Sequence, residues 1–292
     1  MKWEIVHRTE YHYAAPVWDS FNEIRLQPFA SAEQSLDHFL LKVLPAARLR
    51  HHHDFYSNLV HHFELPEPHA SLIVESCLGV TTQPGPALAD TETPWPLERI
   101  DAAMREARIF DFLQDSRYVE LSPETWRLAV DATAGVKDAW QAALAVMRGV
   151  HGQFAYLPNA THVHTHMRDV LKERRGVCQD FAHVMLACLR SLGLPARYVS
   201  GYLLTQPPPG QEKLVGSDAS HAWVSVYVPG IDGNVGEWID LDPTNRRIAG
   251  EDYVVLATGR DYSDVSPIRG VIHGGANHLL HVAVTVTPTI AP

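Results

Sequence analysis

The first residue in this sequence whose setting suits it for chemistry is Cys178, within Arg175-Gly176-Val177-Cys178-Gln179-Asp180-Phe181-Ala182. A thiol attacks as the thiolate, and a free cysteine with a pKa near ~8.5 is ionised only to a few per cent at neutrality. A helix start favours the anion through its unpaired N–H groups and the positive end of its dipole, and a basic partner favours it further. His221, in Ser220-His221-Ala222-Trp223-Val224, is such a partner. Two carboxylates follow, Asp240 and Asp242, in Glu237-Trp238-Ile239-Asp240-Leu241-Asp242-Pro243-Thr244. A carboxylate there can accept an imidazole N–H, fix its tautomer and stabilise the imidazolium that pairs with the thiolate. The chemistry open to such a set is nucleophilic attack on an acyl carbon.

The elements that must position these groups are legible in the pattern. Phe181, Ala182, Met185, Leu186 and Leu189 recur at helical spacing, and Gly193 with Pro195 supplies a stop, which predicts a helix over 178–192 with Cys178 in its first turn. Asp180 in that turn reads as a dipole and cap residue. Val224, Val226 and Val228 alternate with Trp223, Ser225 and Tyr227, so the segment is a strand with His221 and Trp223 on one face. Trp238, Asp240 and Asp242 share a face opposite Ile239 and Leu241, and Pro243 ends the strand. Period alone does not choose between Asp240 and Asp242. Gln179, Trp223, Trp238 and Tyr156 are the candidates for lining a substrate groove, with Tyr156 also a candidate second oxyanion donor.

In order and spacing, Gly176-Val177-Cys178, His221-Ala222-Trp223 and the segment from Trp238 to Thr244 resemble the catalytic core of the transglutaminase-like superfamily. The resemblance implies that the acid is Asp242, four residues after the strand tryptophan and directly before Pro243-Thr244. The stretch from Leu189 to Tyr202 resembles the helix end and next strand of bacterial members. Residues from Met1 to about Val80 resemble their all-β N-terminal region, and Val255 to Pro267 resembles their tail. The implied activity is acyl transfer or hydrolysis at an amide through a Cys178 thioester. His221 would serve as acid and base, Asp242 would orient it, and the Cys178 N–H would hold part of the oxyanion. The implied partners are a protein, peptide or small amide acyl donor and a water or amine acceptor. No cofactor is required. The calcium dependence of some animal members is not carried over, because no EF-hand-type acidic loop is present.

The resemblance implies an α+β fold. An N-terminal antiparallel β-sandwich over 1–80 and a Pro-rich linker over 81–100 precede a helical segment, a papain-like core and C-terminal strands over 101–292. The core packs its nucleophile helix on an antiparallel sheet. The residues agree: Trp3, Ile5, His7, Thr9, Tyr11 and Tyr13 alternate with polar neighbours, and short apolar runs follow to Leu78. Gln83-Pro84-Gly85-Pro86 and Thr93-Pro94-Trp95-Pro96 interrupt regular structure. Ser122-Pro123-Glu124 is a helix start, and Trp140, Leu144 and Met147 form an apolar stripe.

Composition narrows the function classes. A chain of 292 residues with 46% hydrophobic content buries a substantial core. It has no apolar run of the ~18 residues a membrane span needs. Met1 to Arg8 has no continuous apolar segment of the secretory kind, so the expected location is cytoplasmic. A net charge of −10 repels phosphate backbones and argues against nucleic acid. Cys77, Cys178 and Cys188 do not suggest a disulfide framework. Cys188 lies about 80° around the helix from Cys178 and reads as a core thiol.

Eighteen histidines invite a metal reading at His51-His52-His53 with His61-His62 and at His162-Val163-His164-Thr165-His166. Cysteine or carboxylate companions are not placed at ligand spacing, and consecutive strand residues face opposite ways, so both clusters read as exposed or groove-bordering imidazoles. Two other readings stand beside acyl transfer at amides. An arylamine N-acetyltransferase-like enzyme has the same residue order, but Arg174-Arg175-Gly176-Val177-Cys178 departs from that family's Arg-Gly-Gly signature. A non-catalytic binding module on the same fold is the other, against which the intact residue set argues.

Overall fold

The computed structural model describes residues 1–85, 107–158, 160–204, 220–228, 236–275 and 277–289. The Pro-rich stretch lies outside the described residues from 86 onward. In chain order the first strands are β1 (Lys2–Ile24), β2 (Gln34–Leu44), β3 (Arg50–His53), β4 (Leu59–Leu65) and β5 (His69–Thr82). Helices α1 (Ala107–Phe110), α2 (Pro123–Ala132), α3 (Ala139–Gln153) and α4 (Met167–Glu173) follow, with the two-residue strands β6 (Ala155–Tyr156) and β7 (Arg175–Gly176) on either side of α4. Then come α5 (Cys178–Ser191), β8 (Ala196–Leu203), β9 (Ser220–Val228), β10 (Glu237–Asp242), β11 (Arg247–Ile248) and β12 (Tyr253–Gly259). A short α6 (Tyr262–Val265) leads to β13 (Ile268–Gly274) and β14 (His278–Thr289).

Trp3, Ile5, His7 and Thr9 are buried and Lys2, Glu4 and Val6 exposed, the period of two expected for β1. This long strand pairs antiparallel with β5, β4, β13 and β14, and β2 and β3 extend the sheet to seven strands. The sandwich expected over 1–80 is therefore corrected to one curled sheet, completed by strands from the far end of the chain. The apolar face shared by β1, β5 and β14 is covered by the second sheet: Trp3, Ile5, Leu78 and Val284 share a core with Tyr202, Val254 and Leu256.

The second sheet runs β11-β10-β9-β8-β12, antiparallel throughout. Strands β8, β9 and β10, which follow α5 in the chain, are adjacent in it. On it lies α5, whose residues from Gln179 to Arg190 are all buried, because helices α2, α3 and α4 cover the side that faces away from the sheet. Fully burying Phe181, Met185, Leu186 and Leu189 contributes about 1.5–3 kcal/mol each. Two buried polar residues of this helix tie it to its surroundings. Arg190 donates to the carbonyls of Gln114, Ala196 and Arg260, and His183 accepts the Tyr262 N–H. Upstream, α2 begins with the expected Ser122: its hydroxyl accepts Thr125 N–H while Thr125 Oγ1 accepts Ser122 N–H. Among the described residues no helix is long and apolar enough to cross a membrane.

Candidate active site

Cys178 is the first residue of α5, entered through Val177 in an extended conformation. Asp180 folds back over this start: its Oδ2 accepts Val177 N–H at 2.8 Å and the Thr161 hydroxyl. The cap expected of Asp180 is thus made, and it also explains the glycine in Gly-x-Cys. A Cβ at Gly176 would stand 2.5 Å from Asp180 Oδ2 and 2.7 Å from its Cβ. The Cys178 N–H lies at the first helical position, where no intrahelical acceptor exists. Tyr156 reaches the same place because β6 pairs parallel to β7, Tyr156 beside Gly176. Partial burial and the neighbouring Cys178 raise its pKa, so it remains an O–H donor.

His221 projects from the start of β9. Its Nε2–H donates to Asp242 Oδ2 at 2.7 Å, and the Cys178 side chain lies near enough to the ring to act on its protonation. Burial by itself would depress the imidazole, but the bond to Asp242 and the proximity of Cys178 outweigh it and push the pKa up to about 10. Asp242 is fully buried. Burial would raise its pKa, yet bonds from His221, Asn245 and Tyr253 hold it down to about 2. Thr244 N–H and Asn245 N–H donate to its Oδ1, while Asn245 Nδ2 and the Tyr253 hydroxyl donate to Oδ2. From α3, His151 Nδ1 donates to the carbonyls of Pro243 and Thr244 and fixes the turn that follows.

The sequence candidates separate accordingly. Cys178, His221, Asp242 and Tyr156 are brought together. Gln179 is buried beside the thiol and donates to Val163 O at 3.2 Å, anchoring the segment that carries His162, His164 and His166. Trp223 is corrected: it is fully buried, stands behind His221 with ring centroids 6.0 Å apart, and so supports the imidazole instead of lining a groove. Trp238 is corrected too. It stacks under Arg197, 4.3 Å from guanidinium to ring centroid, and borders a cavity of about 150 Å³ with Asp240 and Tyr253, to which neither Cys178 nor His221 contributes.

Asn245, Tyr253, Arg247 and His151 were missed. Asn245 had a local signal, since an Asp followed by Pro-Thr-Asn closes a turn on its own carboxylate; Arg247 stands opposite Asp242 in the hairpin that follows, and Tyr253 and His151 reach the site through contacts with other elements. The histidine clusters pair across strands, His51 with His61 and His52 with His62, while His164 Nδ1 hydrogen-bonds the Tyr118 hydroxyl. Among the described residues no group of three or more histidine, cysteine or acidic side chains is arranged to hold a metal ion.

The family model of the transglutaminase-like superfamily core matches residues 127–243, and that of the bacterial transglutaminase-like N-terminal region matches 3–81. The chain is 35% identical over 297 residues to an uncharacterized protein of Mycobacterium tuberculosis, covering 98% of this chain and 93% of that protein. It is 34% identical over 288 residues to one of Mycobacterium leprae, covering 97% of each. A protein-glutamine gamma-glutamyltransferase of Pseudomonas aeruginosa is 35% identical over 97 residues, 32% of this chain and 14% of that one. Among solved structures, a provisionally assigned cysteine protease from Cytophaga hutchinsonii shares the fold. Its TM-score is 0.75 at 22% identity, over 100% of this chain and 92% of that one.

Proposed function

This chain belongs to the transglutaminase-like superfamily, and on that premise we propose that it is a cysteine enzyme that transfers or hydrolyses acyl groups at amide bonds. The observation that carries the reading is His221, which donates through Nε2 to the buried Asp242 at 2.7 Å and has Cys178 among the groups that raise its pKa. An imidazole raised to about 10 is an imidazolium at neutral pH, the partner a thiolate needs.

In this reading the Cys178 sulfur forms a bond to the acyl carbon, and the carbonyl electron pair moves to oxygen. The Cys178 N–H stabilises that oxyanion from the helix start, and a second hydrogen bond from Tyr156, whose strand pairs beside Gly176, is the reading for the other donor. As the tetrahedral centre collapses, His221 gives its proton to the departing amine and a thioester remains. Water or an amine then attacks, losing its proton to His221, and the C–S bond breaks to restore the Cys178 thiolate beside the imidazolium. Asp242, ionised throughout, holds the imidazole in one tautomer. The glutamyltransferase relative supports an amine as the second nucleophile. No step requires a metal or cofactor.

The test is intact mass spectrometry of the protein incubated with a glutamine dipeptide, with and without hydroxylamine. The expected result is an acyl adduct on Cys178 that hydroxylamine discharges as a hydroxamate. An adduct on another residue, or hydroxamate formation undiminished in Cys178→Ala, would sink the proposal.

A further inference from the structure

Asp242 Oδ2 receives three donors, and only two of them are accounted for by the mechanism and the local turn. The third, Tyr253, opens β12, which is separated from β10 in the sheet by β9 and β8. A flat sheet would hold those two strands about 14 Å apart. The long tyrosine side chain nonetheless brings its hydroxyl to 2.7 Å from Asp242 Oδ2. The ring is buried, packed edge-on against Trp223 at 5.2 Å and 6.2 Å from His221, which leaves the hydroxyl one direction in which to point.

Arg247 decides where the proton of that hydroxyl goes. Its Nε donates to the Tyr253 oxygen at 2.8 Å, and its guanidinium lies 4.8 Å from the ring centroid. With an N–H arriving from Arg247, the phenol proton is left for Asp242. Burial and the adjacent carboxylate hold the phenol well above its usual range, so it donates across the working pH range.

We propose that Tyr253, oriented by Arg247, is a positioning residue for the Asp242–His221 pair: it keeps the buried carboxylate ionised and aimed at the imidazole, and does not touch substrate. This rests on the thiol reading above. A carboxylate buried as deeply as Asp242 takes up a proton unless donors oppose it, and a neutral Asp242 would leave the imidazolium without a counter-charge. Asn245 holds the carboxylate from its own turn, whereas Tyr253 ties it to the part of the sheet that carries Trp223.

Tyr253→Phe removes the hydroxyl and keeps the ring packing, and Arg247→Gln removes the orienting donor from a half-exposed position. With p-nitrophenyl acetate as the acyl donor, Tyr253→Phe should lower kcat about tenfold at unchanged KM, the effect of one lost hydrogen bond to a charged group. Carboxyl carbon NMR should find Asp242 titrating upward from about 2 in this variant, with Arg247→Gln moving it the same way by less. Wild-type kcat in Tyr253→Phe, or an Asp242 titration that neither variant moves, overturns the proposal. The titration is read without turnover, so it is separate from failure of the thiol mechanism, which would show as full esterase activity in Cys178→Ser.

Discussion

Trp223 donates its indole N–H to Asp240 Oδ2 at 2.8 Å, whereas His221 donates to Asp242 Oδ2 at 2.7 Å. Two carboxylates of one strand are thereby given opposite environments. Burial raises the pKa of Asp240 despite Arg197 and Trp223 nearby, whereas the donors around Asp242 outweigh its burial and lower it. Packing thus assigns Asp240 to the tryptophan and Asp242 to the imidazole.

The two positions should therefore respond differently to the same change. Asp242→Asn is expected to lower kcat by about 10²–10⁴-fold, since an amide cannot balance the imidazolium. Asp240→Asn keeps an oxygen for the Trp223 N–H and should leave kcat within about threefold of wild type. Steady-state kinetics on one acyl donor checks both, and equal losses at the two positions would contradict the assignment.

Replacing the thiol separates chemistry from folding. Cys178→Ser is nearly isosteric and should abolish acyl-enzyme formation in the mass spectrum. Its thermal midpoint should stay within about 2 °C of wild type, the shift of a fraction of a kcal/mol. A larger fall would mean that the thiol has a packing role that this site does not predict.

The pH dependence follows from His221. Its folded pKa of about 10 lies above the reference 6.5, so its stabilising contribution is complete below pH 6.5 and is lost as pH rises through about 10. For Asp242 the folded value of about 2 lies below 3.8, so its contribution is present above pH 3.8 and is lost as pH falls through about 2. Calorimetry from pH 6 to 10.5 should show the wild-type midpoint declining more steeply than that of His221→Gln. Activity should fall on the alkaline side near pH 10. Parallel stability curves for the two proteins would show that the imidazole is not held protonated.

Gly176 tests the architecture of the helix start. A Cβ there meets Asp180 at 2.5–2.8 Å, so Gly176→Ala must displace the cap over Cys178. A destabilisation of about 1–3 kcal/mol is expected, together with slower alkylation of Cys178 by iodoacetamide. Wild-type stability and labelling would show that Asp180 is not needed where it stands.

The parts of this protein that were legible in its sequence are those set by contacts between near neighbours. The helical spacing from Phe181 to Leu189 fixes α5 behind Cys178, Asp180 three residues after Val177 caps it, and the alternation around Val224 puts His221 and Trp223 on one face. The ordered motifs identify the family. Period two also placed Asp240 and Asp242 on a common face, but a period states only which side of a strand a residue faces.

Which partner waits on that side was decided by strands arriving from elsewhere in the chain. Trp223 claims Asp240, Tyr253 and Arg247 support Asp242 from β12 and β11, and β14 pairs with β1 across almost the whole chain length. The same contacts replaced the expected sandwich with a single curled sheet closed over the second one. Hydrogen-bond geometry and side-chain periodicity act over a few residues and are written locally, whereas strand pairing and the burial of one apolar face against another depend on which distant surfaces fit, and no short stretch of sequence contains both halves of such a fit.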